Sequence, residues 1–149
     1  MSNNSTRPTY LEAYRFIVEL DNVNVGSFRT MSGLGTKQDV VEFKLGGDKS
    51  VRRKPGRTSF GNIVLERGFS TGRELWDWRK NVVDGKGDRR SGSIVFLNPD
   101  ASEARRYNFF RAWPVSWDGP SLAASGTDMA IEKLELAVEW VEIADADNG

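Results

Sequence analysis

The sequence predicts a mainly β protein, a two-sheet antiparallel β-barrel or sandwich of about seven or eight strands with one flanking α-helix at about 71–84. Three observations predict it. Apolar residues recur with a period of two in several separate segments, and turn residues punctuate those segments. One stretch alone carries helical spacing between a cap and a glycine stop. The 149 residues read as one domain, long enough to bury an ordinary core.

Residues 1–9 are polar and read as a flexible arm. From Tyr14 the chain alternates, with Tyr14, Phe16, Val18 and Leu20 on one face and Arg15, Glu19 and Asp21 on the other. Asp21-Asn22 starts a turn, and 23–30 returns as the second strand of a hairpin. Ser32-Gly33-Leu34-Gly35 breaks the pattern. A strand at about 39–45 then sets Val41, Phe43 and Leu45 against Gln38, Glu42 and Lys44. Gly46-Gly47-Asp48 opens a long projecting loop or hairpin tip, about 46–59, with Pro55-Gly56 as a further turn signal.

Ile63 and Leu65 mark another strand, and the helix follows. Thr71 reads as its N-cap and Glu74 as the partner in a capping box. Leu75, Trp78 and Val82 share one face, widened by Trp76 and Val83, and Gly85 supplies the left-handed stop. A strand at 93–97 turns at Asn98-Pro99-Asp100 and pairs with about 104–110. Trp113-Pro114 and Asp118-Gly119-Pro120 mark an irregular crossing. Leu134, Leu136, Val138 and Trp140 alternate with Lys133, Glu135, Ala137 and Glu139; helical spacing fits part of the window 128–142 too, but strict alternation favours one long strand. Residues 143–149 read as a frayed tail.

Composition excludes several kinds of function. The chain has no cysteine and no histidine, which removes disulfides, thiolate chemistry, the commonest zinc ligands and every Ser–His or Cys–His pair. Lys and Arg number 21 against 21 Asp and Glu, so there is no overall basic bias toward nucleic acid or anionic membrane. No apolar run approaches the ~18 residues that cross a bilayer, and the N-terminal residues lack a signal-peptide core. Cytoplasmic synthesis without a signal peptide is the expectation. No cofactor and no metal are expected.

Charge is segregated even though it balances. Lys44, Lys49, Arg52, Arg53, Lys54 and Arg57 face a single acid, Asp48, across the projecting loop. Glu132, Glu135, Glu139 and Glu142 form the densest acidic group, extended by Asp145 and Asp147, and read as a solvated or interface-facing edge more readily than as a general acid–base pair. The basic window has three readings: docking on the acidic strand of a neighbouring copy, a solvated loop, or a contact for nucleic acid or another anionic polymer along 49–57. The first gives candidate contact residues Lys49, Arg52, Arg53, Lys54 and Arg57 on one side and Glu132, Glu135 and Glu139 on the other. Gly33-Leu34-Gly35 and Gly46-Gly47-Asp48-Lys49-Ser50 lack both the spacing and the strand–helix setting of a phosphate loop.

A series of landmarks in fixed order resembles the inner tube proteins of contractile phage tails and injection systems. It runs from the strand Tyr14-Arg15-Phe16-Ile17-Val18-Glu19-Leu20-Asp21 and the turn Met31-Ser32-Gly33-Leu34-Gly35 to Val41-Glu42-Phe43 with Gly46-Gly47-Asp48. Lys54-Pro55-Gly56 and Ile63-Val64-Leu65-Glu66-Arg67-Gly68 come next. Trp76-Asp77-Trp78-Arg79 with Arg89-Arg90-Ser91-Gly92-Ser93 is the stretch of closest likeness. Trp113-Pro114 and Ala130-Ile131-Glu132-Lys133-Leu134-Glu135-Leu136-Ala137 complete it, over about 10–142. The resemblance implies a barrel-like pair of sheets with a flanking helix, and hexameric rings stacked head to tail into a hollow tube inside a sheath. Its implied partners are further copies of the chain, sheath and baseplate or tip proteins, and a payload in the lumen. It implies a structural subunit and not an enzyme, in a phage tail or a particle that can be released outside the cell. The secreted tube protein of the type VI system is the neighbouring reading.

Overall fold

A computed structural model describes residues 15–21, 23–68, 72–120 and 130–144, within which ten strands and one helix follow one another. They are β1 (Arg15–Leu20), β2 (Val23–Phe28), β3 (Thr30–Ser32), β4 (Thr36–Phe43), β5 (Arg52–Phe60) and β6 (Ile63–Gly68), then α1 (Glu74–Val83). After the helix come β7 (Arg90–Leu97), β8 (Glu103–Asp118), β9 (Ile131–Ala137) and β10 (Trp140–Ile143). Every strand pairing is antiparallel. The predicted arm 1–9, Tyr14, Asn22, the Thr71 cap and the acids Asp145 and Asp147 lie outside the described residues.

The main sheet has the order β2-β1-β7-β8-β9-β6-β3, with β10 added beside β8. Its two ends are one run of chain. Only Arg29 separates β2 from β3, and its amide donates to the Glu66 carbonyl at 2.8 Å. The sheet therefore comes round on itself as a barrel with two faces. The sixteen-residue β8 makes the opposite corner: residues 103–112 pair with β7, while residues 113–118 pair with β9. Arg111 sits at that bend with φ 55°, a left-handed conformation that interrupts the pleat.

The strand beside the bend must break at the same level, and this corrects the expectation of one long strand over 128–142. β9 ends at Ala137 and β10 begins at Trp140. The Glu139 amide still bonds the Phe110 carbonyl at 3.1 Å, so the pairing continues past the break. Two intervening residues reverse the phase of alternation, as a bulge does. Leu134 and Leu136 point inward, Trp140 points out, and Val141 packs against the core instead. Ile143 closes β10, and the Ala144 amide bonds the Arg106 carbonyl at 2.9 Å, so 143 and 144 belong to the fold and not to a frayed tail.

Alternation built the core as the apolar pattern required. Phe16, Val18 and Leu20 of β1 meet Ile63 and Leu65 of β6, Ile94 of β7, Phe109 of β8 and Leu134 and Leu136 of β9. Each such side chain contributes about 1.5–3 kcal/mol of burial. From α1, Leu75 and Trp78 enter this core, whereas Val83 and much of Trp76 stay exposed. Trp78 is fully buried; its Nε1–H donates to the Asp88 carbonyl at 2.8 Å, and the Arg90 guanidinium lies over its ring. The helix begins one position after Arg73, which offers no side-chain cap, so Glu74 stands at the first helical residue and cannot close a capping box. Gly85, at φ 77°, supplies the expected stop.

Glu74 has a different task. Arg67 of β6 is 6% exposed and gathers four elements around its guanidinium. Its Nε donates to Glu132 Oε1 of β9 at 2.6 Å, and its Nη1 reaches Glu74 Oε1 at 2.8 Å and the Val25 carbonyl of β2 at 3.1 Å. The other Glu132 oxygen accepts from Trp117 Nε1 of β8 at 2.8 Å. Glu132, expected on an exposed acidic edge, is therefore an interior residue. Burial raises the Glu74 carboxyl, but its own amide and Arg67 outweigh that and hold it below its ordinary pKa.

Removing one member of this knot strands a buried charge. Arg67→Met is expected to destabilise the fold by about 3–5 kcal/mol, measured by denaturant unfolding, whereas Arg73→Met on the helix surface should change little. Because the folded pKa of Glu74 is depressed, its contribution is present above the ordinary carboxylate range and lost as pH falls through that range. Glu74→Gln should accordingly flatten the acid limb of a stability–pH curve.

Candidate assembly interface

Among the described residues β4 and β5 pair only with each other, in register from Thr36↔Phe60 to Phe43↔Arg52. The segment expected as a projecting loop or hairpin tip over 46–59 is thus part of a hairpin arm, mostly its return strand, and only residues 44–51 form the tip. The sequence hid this strand because Arg52-Arg53-Lys54-Pro55-Gly56 has no apolar alternation and carries two turn residues. Pro55 is tolerated because it lies beside the bulge between Gln38 and Val40. Gly56 is required there, since a Cβ would stand 2.9 Å from Val41 Cγ2 and 3.3 Å from the Asp39 carbonyl.

Among the described residues, no element covers this arm. Every residue of β4 except Phe43 is exposed, and so is every residue of β5 except Gly56 and Phe60. Val40, Val41, Leu45 and Val51 are among the exposed large apolar side chains. An isolated two-stranded hairpin is at best marginally stable in water, so this arm is built to be covered.

Its root is fixed. Gly33 has φ 87°, and a Cβ there would lie 1.9 Å from the Asn62 carbonyl, which explains the glycine of the Met31-Ser32-Gly33 turn. The Gly61 amide bonds the Gly35 carbonyl at 3.1 Å, and the Phe60 ring tilts against Trp140 at 4.8 Å. Trp140 and Ile143 of β10 nevertheless stay half exposed, beside an apolar groove that includes Leu34, Tyr107 and Val141. β10 pairs with β8 on one side and leaves its other edge open among the described residues. The sequence did not reveal this edge, because unbroken alternation set Trp140 on the same face as Leu134 and Leu136.

The predicted contact residues divide by what already holds them. Asp48 accepts from Arg52 Nε at 2.8 Å and from the Leu45 amide at 2.9 Å; these bonds close the tip and lower its pKa, the Arg52 contact foremost. Arg53 approaches Glu42 only to 3.9 Å, and Lys54 lies over the Phe43 ring at 5.3 Å. Lys49 and Arg57 have no ion pair among the described residues. On the acidic side Glu132 is buried, and Glu139 is held by Arg89 and by Arg111, the latter at 2.8 Å. Among the described residues Glu135 accepts only from Asn62 Nδ2, at 2.8 Å. The structure does not bring the basic and acidic candidates together within one chain.

A bare charged arm, an open strand edge and a barrel-like sheet with one helix describe a subunit. Residues 12–142 match the family of the T4-like virus tail tube protein gp19. The chain belongs to this tail tube family. No curated protein matches it in sequence. Among solved structures it is similar to a chain of an extracellular contractile injection system, the PVC sheath–tube complex in the extended state. There the TM-score is 0.81 at 25% identity, over 98% of this chain and 99% of that one. A chain of the six-fold symmetrised baseplate of the anti-feeding prophage gives 0.74 at 22%, over 95% and 99%. Hcp1 from Salmonella typhimurium shares the fold with a TM-score of 0.56 at 14%, over 89% and 93%. The tail tube protein is thus mainly β with antiparallel sheets and one helix, as its sequence predicts.

Dilute tail tube protein should show the arm's marginality directly. By hydrogen exchange, amides of β4 and β5 are expected to exchange at least a hundredfold faster than those paired between β7 and β8. Equal protection in dilute monomer would contradict an uncovered arm.

Proposed function

We propose that this tail tube protein is a non-enzymatic structural subunit, a single tail-tube domain over 1–149, that closes into six-membered rings and stacks head to tail as a hollow conduit. In this reading a contractile sheath surrounds the tube, a baseplate or tip seats it, and payload passes through its lumen. The particle operates outside the cell that built it. The observation that carries this reading is the arm of β4 and β5, exposed on both faces and stable only when something covers it. Ring closure and stacking are heterologous contacts, in which one surface fits a different surface of the next copy. Assemblies of this kind bury on the order of 2,000–5,000 Å², and arm, tip and open β10 edge together offer separate surfaces to a neighbour. The sheath–tube complex and six-fold baseplate in which similar chains are found support the same reading.

The arm tip provides the test. Replacing residues 44–51 by a two-residue Asn-Gly turn shortens the arm without touching the barrel core. Thermal unfolding of the purified variant should stay within a few degrees of the parent. Negative-stain microscopy and sedimentation should show tubes for the parent and rings or monomers for the variant. A parent that remains monomeric at high concentration would contradict the assembly itself.

A further inference from the structure

The arm's partner is legible once the ion pairs of the fold are set aside. Most carboxylates are neutralised within the chain: Asp48 by Arg52, Glu74 and Glu132 by Arg67, Asp77 by Arg73, and Asp84 by Lys80. Asp88 is held by Arg90, Glu19 and Glu103 by Arg106, and Glu139 by Arg89 and Arg111. Three without an ion pair among the described residues stand together. Because Leu65 and Arg67 of β6 and Glu132, Leu134 and Leu136 of β9 are buried, their sequence neighbours face outward. Register then sets Glu66 and Asp118 on either side of Lys133, and Val64 and Ser116 on either side of Glu135. This outer sheet face carries three acids around one lysine, with Val64 among them; Asp118 is exposed and the others are half-buried.

The arm shows the opposite pattern. Across β4 and β5, Lys37 lies opposite Ser59, Val41 opposite Lys54 and Phe43 opposite Arg52. One face of the arm therefore presents Lys37 and Lys54 around Val41 and Phe43, with Asp39 the acid of that face. Lys37 and Lys54 make no ion pair among the described residues.

We propose that this arm face docks on the outer face of β6, β9 and the second half of β8 in an adjacent copy of the chain, with Lys37 and Lys54 set against Glu66, Glu135 and Asp118. The valines of the two faces meet inside that ring of charge. This rests on the tube reading and names its acceptor surface. It replaces the acceptor expected from the sequence, since Glu132 is interior and Glu139 is engaged, and retains Glu135.

Charge exchange within one chain tests the contact. Glu66→Lys with Glu135→Lys, or Lys37→Glu with Lys54→Glu, should each raise the concentration needed for tube formation by roughly a hundredfold. The chain carrying all four changes should recover most of the parent's assembly. Thermal unfolding establishes that each variant folds. Should a reversal fail to fold, the neutral pair Glu66→Gln and Glu135→Gln should still weaken assembly and reduce its sensitivity to salt. Tubes unaffected by reversal of the sheet face, or four changes that rescue nothing when both pairs fold, would overturn this docking while leaving the tube reading intact. Absence of tubes from the parent chain would instead remove the reading on which it rests.

Discussion

Two strands that, among the described residues, form ladders only with each other impose the governing constraint on this molecule. The arm of β4 and β5 loses backbone entropy of about 1–2 kcal/mol per ordered residue, yet buries almost nothing within its own chain. Its valines and lysines make sense as half of a contact. In an assembly, the surface missing from the chain is supplied by the next copy, and folding of the arm and stacking of subunits become one equilibrium.

The rest of the fold holds that arm in place. The run from β2 to β3 and the bend of β8 curl the sheet into a barrel-like form with two faces. The Arg67 knot then fixes β2, β6, β9 and the start of α1 relative to one another. Breaking such a buried pair is far more costly than making it is favourable, so its value lies in specifying one arrangement. Gly33 at the arm's root, with Phe60 against Trp140, carries that arrangement out to the hairpin.

Much of this was legible in the residues themselves. The period-two segments around Val18 and Leu65, the helix ending at Gly85 and the turn at Gly33 are each dictated by local sterics and burial. The arm was half legible: its basic tip was visible, but pairing of β5 with β4 overrode the turn chemistry of Pro55-Gly56. Two features were hidden for long-range reasons. Glu132 reads as a surface acid until Arg67, sixty-five residues earlier, meets it in the core. The outward turn of Trp140 follows from the left-handed Arg111 on the neighbouring strand, and arginine announces no such conformation. Tail tube membership was carried instead by landmarks in order along the chain, which the family match over residues 12–142 now establishes.

A helical cryo-electron microscopy reconstruction of the assembled chain tests the central claim most directly. The expected result is six copies per ring and an arm whose two strands lie buried against neighbouring copies. A well-ordered tube in which residues 36–60 project into solvent, touching no other copy, would contradict it.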